Sequence, residues 1–436
     1  MYFSESYYGD LKESVYHAVH KSGLNVCVMP KAGFTKSYAV LATRYGSVNN
    51  CFTAPGDDEK TSVPDGIAHY LEHKMFDQED GSSVFDKFSL YGANANAFTG
   101  FTMTAYLFSA ADHFYENLET LLDYTMHPYY TDETVEKEQG IIGQEIRMYE
   151  DDPGWNVYFN ALRAMYKVNP VNIDIAGTVE SIAEITKEKL YKCYNTFYHP
   201  SNMALFVTGN VTPEKVGSLV EAMVSADHDP GRIINHFEKE PDEVATHKIE
   251  AEFDIGTPQF VIGYKISRLP EEGADYVKTD AVMSVLMQAL FGKSSDIYTR
   301  LYEENLINDS FSSGYEGELS YAFAEISGES PEPDKVYERI KEAVSEAKNK
   351  GISDEDIERA KRVVTGRAVS LIDSQEGFSN EFVRFALKGA DIMTYPSAAA
   401  GVTGEDVIGA LALLDNEFSV LSAVYPKKHE KSGGGK

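Results

Sequence analysis

Two periodicities alternate along the chain. Residues 24–29 and 38–45 are short runs rich in Val, Tyr and other apolar side chains, broken by Pro30 and Gly46, and they predict strands. Residues 64–76 instead space their apolar side chains helically behind Pro64 and Asp65, which predicts a helix with an acidic residue near its positive end. A short helix at 84–90 and an alternating, Thr- and aromatic-rich strand at 96–109 are expected next. Long helical patterns cover 111–126 and 132–149, the second capped by Thr131 and carrying Asp132 and Glu133 in its first turn. A helix at 187–197 and a strand at 204–207, closed by Gly209 and Asn210, follow. This mixture predicts α+β architecture.

Between 229 and 248 the chain becomes polar, carries Pro230, Gly231 and Pro241, and loses periodicity, as a linker does. A strand at 258–266 and an apolar helix at 280–291 then restart the order. A shift of 215 lays residues 67–76 on 282–291 with apolar positions matched. A shift of 222 lays 131–137 on 353–359, and Ile141 and Ile142 on Val363 and Val364. Two similar shifts at separate landmarks predict a duplicated unit of roughly 200 residues. The expected organisation is therefore two homologous α/β halves, each a mostly antiparallel sheet packed by helices. The first spans 1–228, a linker 229–246, the second half 247–427, and a flexible tail 428–436. The copies differ in chemistry: His69, Glu72, His73 and Glu145 become Ser284, Met287, Gln288 and Arg367.

Positions i and i+4 of a helix share one face, so His69 and His73 can turn two imidazoles to one ion. Glu72 lies close enough to reach a water beside that ion without being a ligand. The order H-x-x-E-H matches the inverzincin signature. Catalytic zinc commonly takes two His and one Glu and keeps one position open, so a third ligand must come from elsewhere. Glu138 and Glu145, seven residues apart on the 132–149 helix, lie nearly in line on one face. Glu145 is assigned to the metal, and Glu138 to orienting a ligand His or pinning the helices together. Chance would place this five-residue pattern in about 0.02 chains of this length and His content. Two core histidines satisfied by hydrogen bonds are the alternative, a costly one on a buried face that also carries a carboxylate.

These residues carry a resemblance. With His69-Tyr70-Leu71-Glu72-His73, Asn96-Ala97-Phe98-Thr99, Glu138 with Glu145, and Tyr198-His199-Pro200-Ser201-Asn202-Met203 before Gly209-Asn210, the chain resembles the pitrilysin and insulinase-like zinc peptidases, which include the mitochondrial processing peptidase. The resemblance spans nearly the whole chain. It implies one Zn2+ held by His69, His73 and Glu145, with Glu72 as general base and Glu138 as a supporting carboxylate. It also implies that a peptide substrate adds as an extended strand at Asn96, Ala97 and Phe98. An ordinary strand end, with Asn96 bonding its own turn, is the alternative there. Many relatives carry, in the second half, an Arg and seven residues on a Tyr; alignment through 292–295 puts Tyr302 and Asp309 at those positions. That departure leads to the expectation of a dimer, specifically a heterodimer with a metal-free relative supplying the missing pair.

Composition narrows the partners. A formal net charge of −30 repels phosphate backbones and anionic lipid, so neither nucleic acid nor membrane is expected. The most apolar stretch, 281–291, is too short to cross a bilayer as a helix. Cys27, Cys51 and Cys193 show no metal-knot or redox spacing, and residues 1–6 lack a basic region followed by an apolar run, so a cytoplasmic protein is expected. Cys193 and His199 are assigned no role. The expected function is a zinc-dependent endopeptidase acting on peptides or unfolded segments. The alternatives are a non-catalytic structural or chaperone-like subunit of the same fold, and an unrelated zinc hydrolase of small molecules.

Overall fold

The computed structural model describes residues 1–226 and 231–427, so the tail expected at 428–436 lies outside the described residues. The first half contributes β1 (Ser4–Tyr8), β2 (Glu13–Val19), β3 (Asn25–Pro30), β4 (Ser37–Thr43), β5 (Cys51–Thr53), β6 (Thr61–Ser62), β7 (Asn94–Thr99), β8 (Thr104–Ala110) and β9 (Met203–Gly209). After it come β10 (Ile234–Asn235), β11 (Lys248–Phe253), β12 (Gln259–Lys265), β13 (Ser312–Gly317), β14 (Ala322–Glu329) and β15 (Ser419–Pro426).

The duplication is visible in the pairing. One sheet runs β1-β2-β3-β9-β4-β8-β7 and the other β11-β15-β12-β14-β13. Without β1 and β2 the two orders are the same. Each has a single parallel pair, β3 with β9 and β11 with β15, and is otherwise antiparallel. The helices repeat as well. Asp132–Glu150 and Asp354–Leu371 are each capped by a hydroxyl, Thr131 accepting from the Thr134 N–H and Ser353 from the Asp356 N–H.

Each half lends the other a helix. Pro153–Met165, from the first half, packs on β12 and β15, where Gly263 leaves room for the Met165 sulfur. Gln375–Ala386, beginning 222 residues after Pro153, packs on β4 and β9, with the Phe382 ring stacked on Phe206 at 4.0 Å between centroids. Two of the four apolar cores therefore contain side chains from both halves. Burying one apolar stripe of each exchanged helix against the other half ties the halves together.

The structure departs from the local expectations at four places. The strand expected at 96–109 is a hairpin, β7 and β8, closed by the Gly100 N–H donating to the Met103 carbonyl at 2.8 Å. Apolar alternation continues through the turn because Phe101 is itself buried, its ring 5.8 Å from that of Tyr321 in the second half. The helix expected to begin at Pro64 and Asp65 begins at Ile67, behind a left-handed Gly66, and ends at Lys74. Asp65 accepts from the Asn50 amide at 2.9 Å rather than standing in the first helical turn. The helix Pro153–Met165 lies outside every predicted element, although the Asp152 cap and Pro153 at its start carry its signal. Of the stretch read as a linker, Ile234 and Asn235 pair with β5, and Glu240 accepts the main-chain N–H groups of Lys167, Val168 and Asn169. Among the described residues, no helix is long and apolar enough to cross a membrane.

Candidate metal and active site

Helix Ile67–Lys74 lies under β7 and against helix Asp132–Glu150. Its start is set by Gly66, whose φ of 87° and close approach to the Ala176 carbonyl leave no room for a side chain. Its end is closed by a fully buried Lys74, which donates to Asp77 and, at 3.1 Å, to the Thr134 carbonyl. The helix is held by two neighbours, and His69 and His73 face Glu145 across the gap.

The predicted ligands come together. One atom each of His69, His73 and Glu145 lie within 4.8 Å of one another. His69 Nε2 is 3.8 Å from Glu145 Oε1, and His73 Nε2 is 3.4 Å from Glu145 Oε2. Behind His73, the Nδ1–H donates to Glu138 Oε1 at 3.0 Å, which leaves Nε2 as the lone-pair nitrogen. Glu72 does not join the cluster of three; its Oε2 accepts from the Thr99 hydroxyl at 2.9 Å.

Electrostatics are consistent with a divalent cation. Three carboxylates, Glu72, Glu138 and Glu145, surround two imidazoles, an excess of negative charge that burial makes costly. Burial, and then the charge of His73, push His69 down to about 4, so its ring is neutral at neutral pH. Burial also opposes charge on His73, but the Glu138 hydrogen bond and the surrounding carboxylates outweigh it and raise its pKa. Burial raises Glu72 above the ordinary carboxylate value, with His73 and Thr99 pulling the other way. His69 Nδ1 is buried and has no hydrogen-bond partner among the described residues, while Nε2 is the nitrogen turned to Glu145. The donor set and its charge fit Zn2+.

β7 is the outermost strand of its sheet. Its pairs with β8 alternate in type, and the Gly100–Met103 closure makes those at Phe98, Asn96 and Asn94 the hydrogen-bonded ones. Ala95, Ala97 and Thr99 therefore turn their main-chain N–H and C=O to the open edge. Of the three predicted substrate contacts, Ala97 alone presents backbone there. The Asn96 Oδ1 accepts from the Ala97 N–H at 2.9 Å, the local bond of an ordinary strand end, and the Phe98 side chain packs on the opposite face in the shared core. The sequence places Thr99 in the Asn96–Thr99 motif without giving it a role, and it does not single out Tyr149 or Trp155. Only its i, i+4 spacing from Glu145 could have pointed to Tyr149.

The counterpart positions of the second half, Ser284, Met287, Gln288 and Arg367, line one cavity of about 350 Å³. Tyr302 is half exposed and stacks on Tyr298, and Asp309 is exposed. Cys193 is buried in the core, and the His199 ring bonds the Ser201 hydroxyl beside it.

The comparisons agree with this architecture. The profile described as "Insulinase (Peptidase family M16)" matches residues 56–179, and the one described as "Peptidase M16 inactive domain" matches 184–364. The chain is 44% identical over 402 residues to "Uncharacterized zinc protease YmfH" of Bacillus subtilis (strain 168), covering 92% of this chain and 94% of the relative. The solved structure of an M16-like peptidase from Alicyclobacillus acidocaldarius is 35% identical, covers 98% of this chain and 99% of its own, and superposes with a TM-score of 0.91. A Helicobacter pylori protease shares the fold at 17% identity and a TM-score of 0.77, covering 94% of this chain and 99% of its own. With matched halves, a repeated sheet and a His-His-Glu cluster between the first half's helices, the chain belongs to the M16, insulinase-like, peptidase family.

Proposed function

We propose that this chain is a zinc-dependent endopeptidase that hydrolyses peptides or unfolded polypeptide segments, with His69, His73 and Glu145 as metal ligands and Glu72 as general base. The observation that carries it is the convergence of those three ligand atoms within 4.8 Å, with Glu72 on the helix that carries the two histidines. Zn2+ held there supplies a Lewis acid for the scissile carbonyl and brings the pKa of water towards neutrality. An extended peptide pairs with the outer edge of β7 through Ala95, Ala97 and Thr99, which gives affinity with little dependence on side chains. To pair fully, it displaces the Asn96 side chain from the Ala97 N–H. Thr99 orients the Glu72 carboxylate, and burial makes Glu72 a better base. Glu72 takes a proton from the attacking water as the water oxygen bonds to the carbonyl carbon. It returns that proton to the amine nitrogen as the C–N bond breaks.

A non-catalytic subunit of the same fold has no use for a raised Glu72 beside three converged ligands. The deciding experiment measures zinc content and peptide cleavage for wild type and Glu72→Gln. Cleavage by wild type and its loss in the variant, with zinc retained in both, supports the peptidase. Cleavage that survives in Glu72→Gln, or zinc-loaded wild type inert to unfolded polypeptide both alone and with a metal-free relative, overturns it.

The positions occupied by Tyr302 and Asp309 favour a dimer with such a metal-free relative. The cytoplasm, expected from the cysteine pattern, is the proposed compartment.

A further inference from the structure

We propose that Tyr149 is a positioning residue for Glu145, held in turn by Trp155 and Asp174, an inference that rests on the zinc-peptidase reading above. Tyr149 lies one helical turn beyond Glu145, and its hydroxyl donates to Glu145 Oε1 at 2.6 Å. Its ring lies flat on Trp155, with centroids 4.4 Å and planes 13° apart. The Trp155 indole N–H donates to Asp174 Oδ2, while Oδ1 of the same carboxylate accepts from the Ala176 N–H at 2.9 Å.

The corner between the two helices sets this stack. Asp152 Oδ1 caps the second helix by accepting from the Trp155 N–H at 2.7 Å, and the Asn156 amide donates to the Glu150 carbonyl at 2.8 Å. Trp155 is thereby folded back over Tyr149 rather than carried away along a continuous helix.

A glutamate on a helix face has several rotamers, and a ligand must hold one. Pinning Oε1 with the Tyr149 hydroxyl leaves Oε2 towards His73 Nε2, 3.4 Å away. The far end of the network matters equally. Ala176 is the residue whose carbonyl lies against Gly66, where the helix bearing His69 and His73 begins. One frame therefore fixes the carboxylate and both imidazoles before any ion arrives, as a preorganised site requires. Helix Pro153–Met165 also packs on β12 and β15, so the half without ligands buttresses the third ligand of the other.

The test measures zinc affinity of the full chain by competition with a chromophoric chelator, for wild type, Tyr149→Phe and Trp155→Phe. The denaturation midpoint of each zinc-free protein is measured alongside. Tyr149→Phe keeps the stacked ring and removes one hydroxyl, so zinc affinity is expected to fall about 10–100-fold with the zinc-free midpoint unchanged. Trp155→Phe loses the bond to Asp174 and weakens zinc in the same direction; it decides the matter if Tyr149→Phe does not fold. Trp155 is the chain's one tryptophan, so its fluorescence changes on zinc addition in wild type, and the change shrinks in Tyr149→Phe. Equal zinc affinity in wild type and Tyr149→Phe overturns this inference and leaves the peptidase reading standing. A loss of affinity matched by a lowered zinc-free midpoint marks a packing role and overturns it too. Wild type that takes up no zinc overturns both.

Discussion

Glu138 accepts a hydrogen bond from Nδ1 of His73 at 3.0 Å, and this contact decides which ring nitrogen of His73 faces Glu145. Burial works against the charge on Glu138, but the His73 bond and charge outweigh it and hold the carboxyl below its ordinary value. An ionised Glu138 keeps the proton on Nδ1 and the lone pair on Nε2. Glu138→Ala frees the ring to turn. Zinc affinity is expected to fall about 10–100-fold, read by chelator competition, while the zinc-free fold holds. Unchanged affinity would show that packing alone orients His73.

Gly66 offers a test of the helix start. At φ 87° a side chain is strained, and a Cβ there would clash with the Ala176 carbonyl. Gly66→Ala should cost about 1–3 kcal/mol in urea denaturation from backbone strain, more if the clash is not relieved. Because the displaced helix carries His69 and His73, zinc stoichiometry should fall in the same variant.

Glu240 provides the pH dependence. Burial opposes its charge, but the N–H groups of Lys167, Val168 and Asn169 and the Lys265 ammonium at 2.6 Å hold its carboxyl below the usual 4.5. A depressed carboxylate stabilises the fold fully above its unfolded pKa and loses that contribution as pH falls through the lower folded value. Glu240→Gln should therefore cost about 1.5–3 kcal/mol at pH 7, as for hydrogen bonds to a charged group. The gap to wild type should begin to close below pH 4.5 and disappear well beneath it. A gap independent of pH between 7 and 3 would assign the effect to shape rather than charge.

The assembly is tested by adding a second chain. With Tyr302 and Asp309 where many relatives carry Arg and Tyr, the isolated protein is expected to cleave peptides slowly and to recover when a metal-free relative is supplied. Sedimentation should then show a complex of the two. Full activity of the chain alone would remove the reason for a partner.

Much of this protein is decided locally, and local information is what a sequence carries. Helical spacing put His69 and His73 on one face and Glu138 and Glu145 on another, and the match of 131–137 with 353–359 marked the same helix in both halves. The duplication followed from apolar periodicity, because periodicity survives when identity does not. Two helix faces can be drawn without knowing that they meet. Their meeting depends on Gly66 against Ala176, a contact between residues far apart in the chain, and on buried Lys74 reaching the Thr134 carbonyl.

The exchange of helices between halves was likewise invisible, since an amphipathic stripe on 153–165 or 375–386 does not say which sheet it covers. So was the parity of β7, which hangs on where the hairpin closes: a turn one residue away would have offered Asn96 and Phe98, rather than Ala95, Ala97 and Thr99, to an incoming strand. Residue types and their spacing determined what chemistry the chain could perform. Tertiary structure decided where the ligand atoms converge and which main-chain groups of β7 face its open edge, because the first depends on helices separated along the chain and the second on the residue at which the hairpin closes.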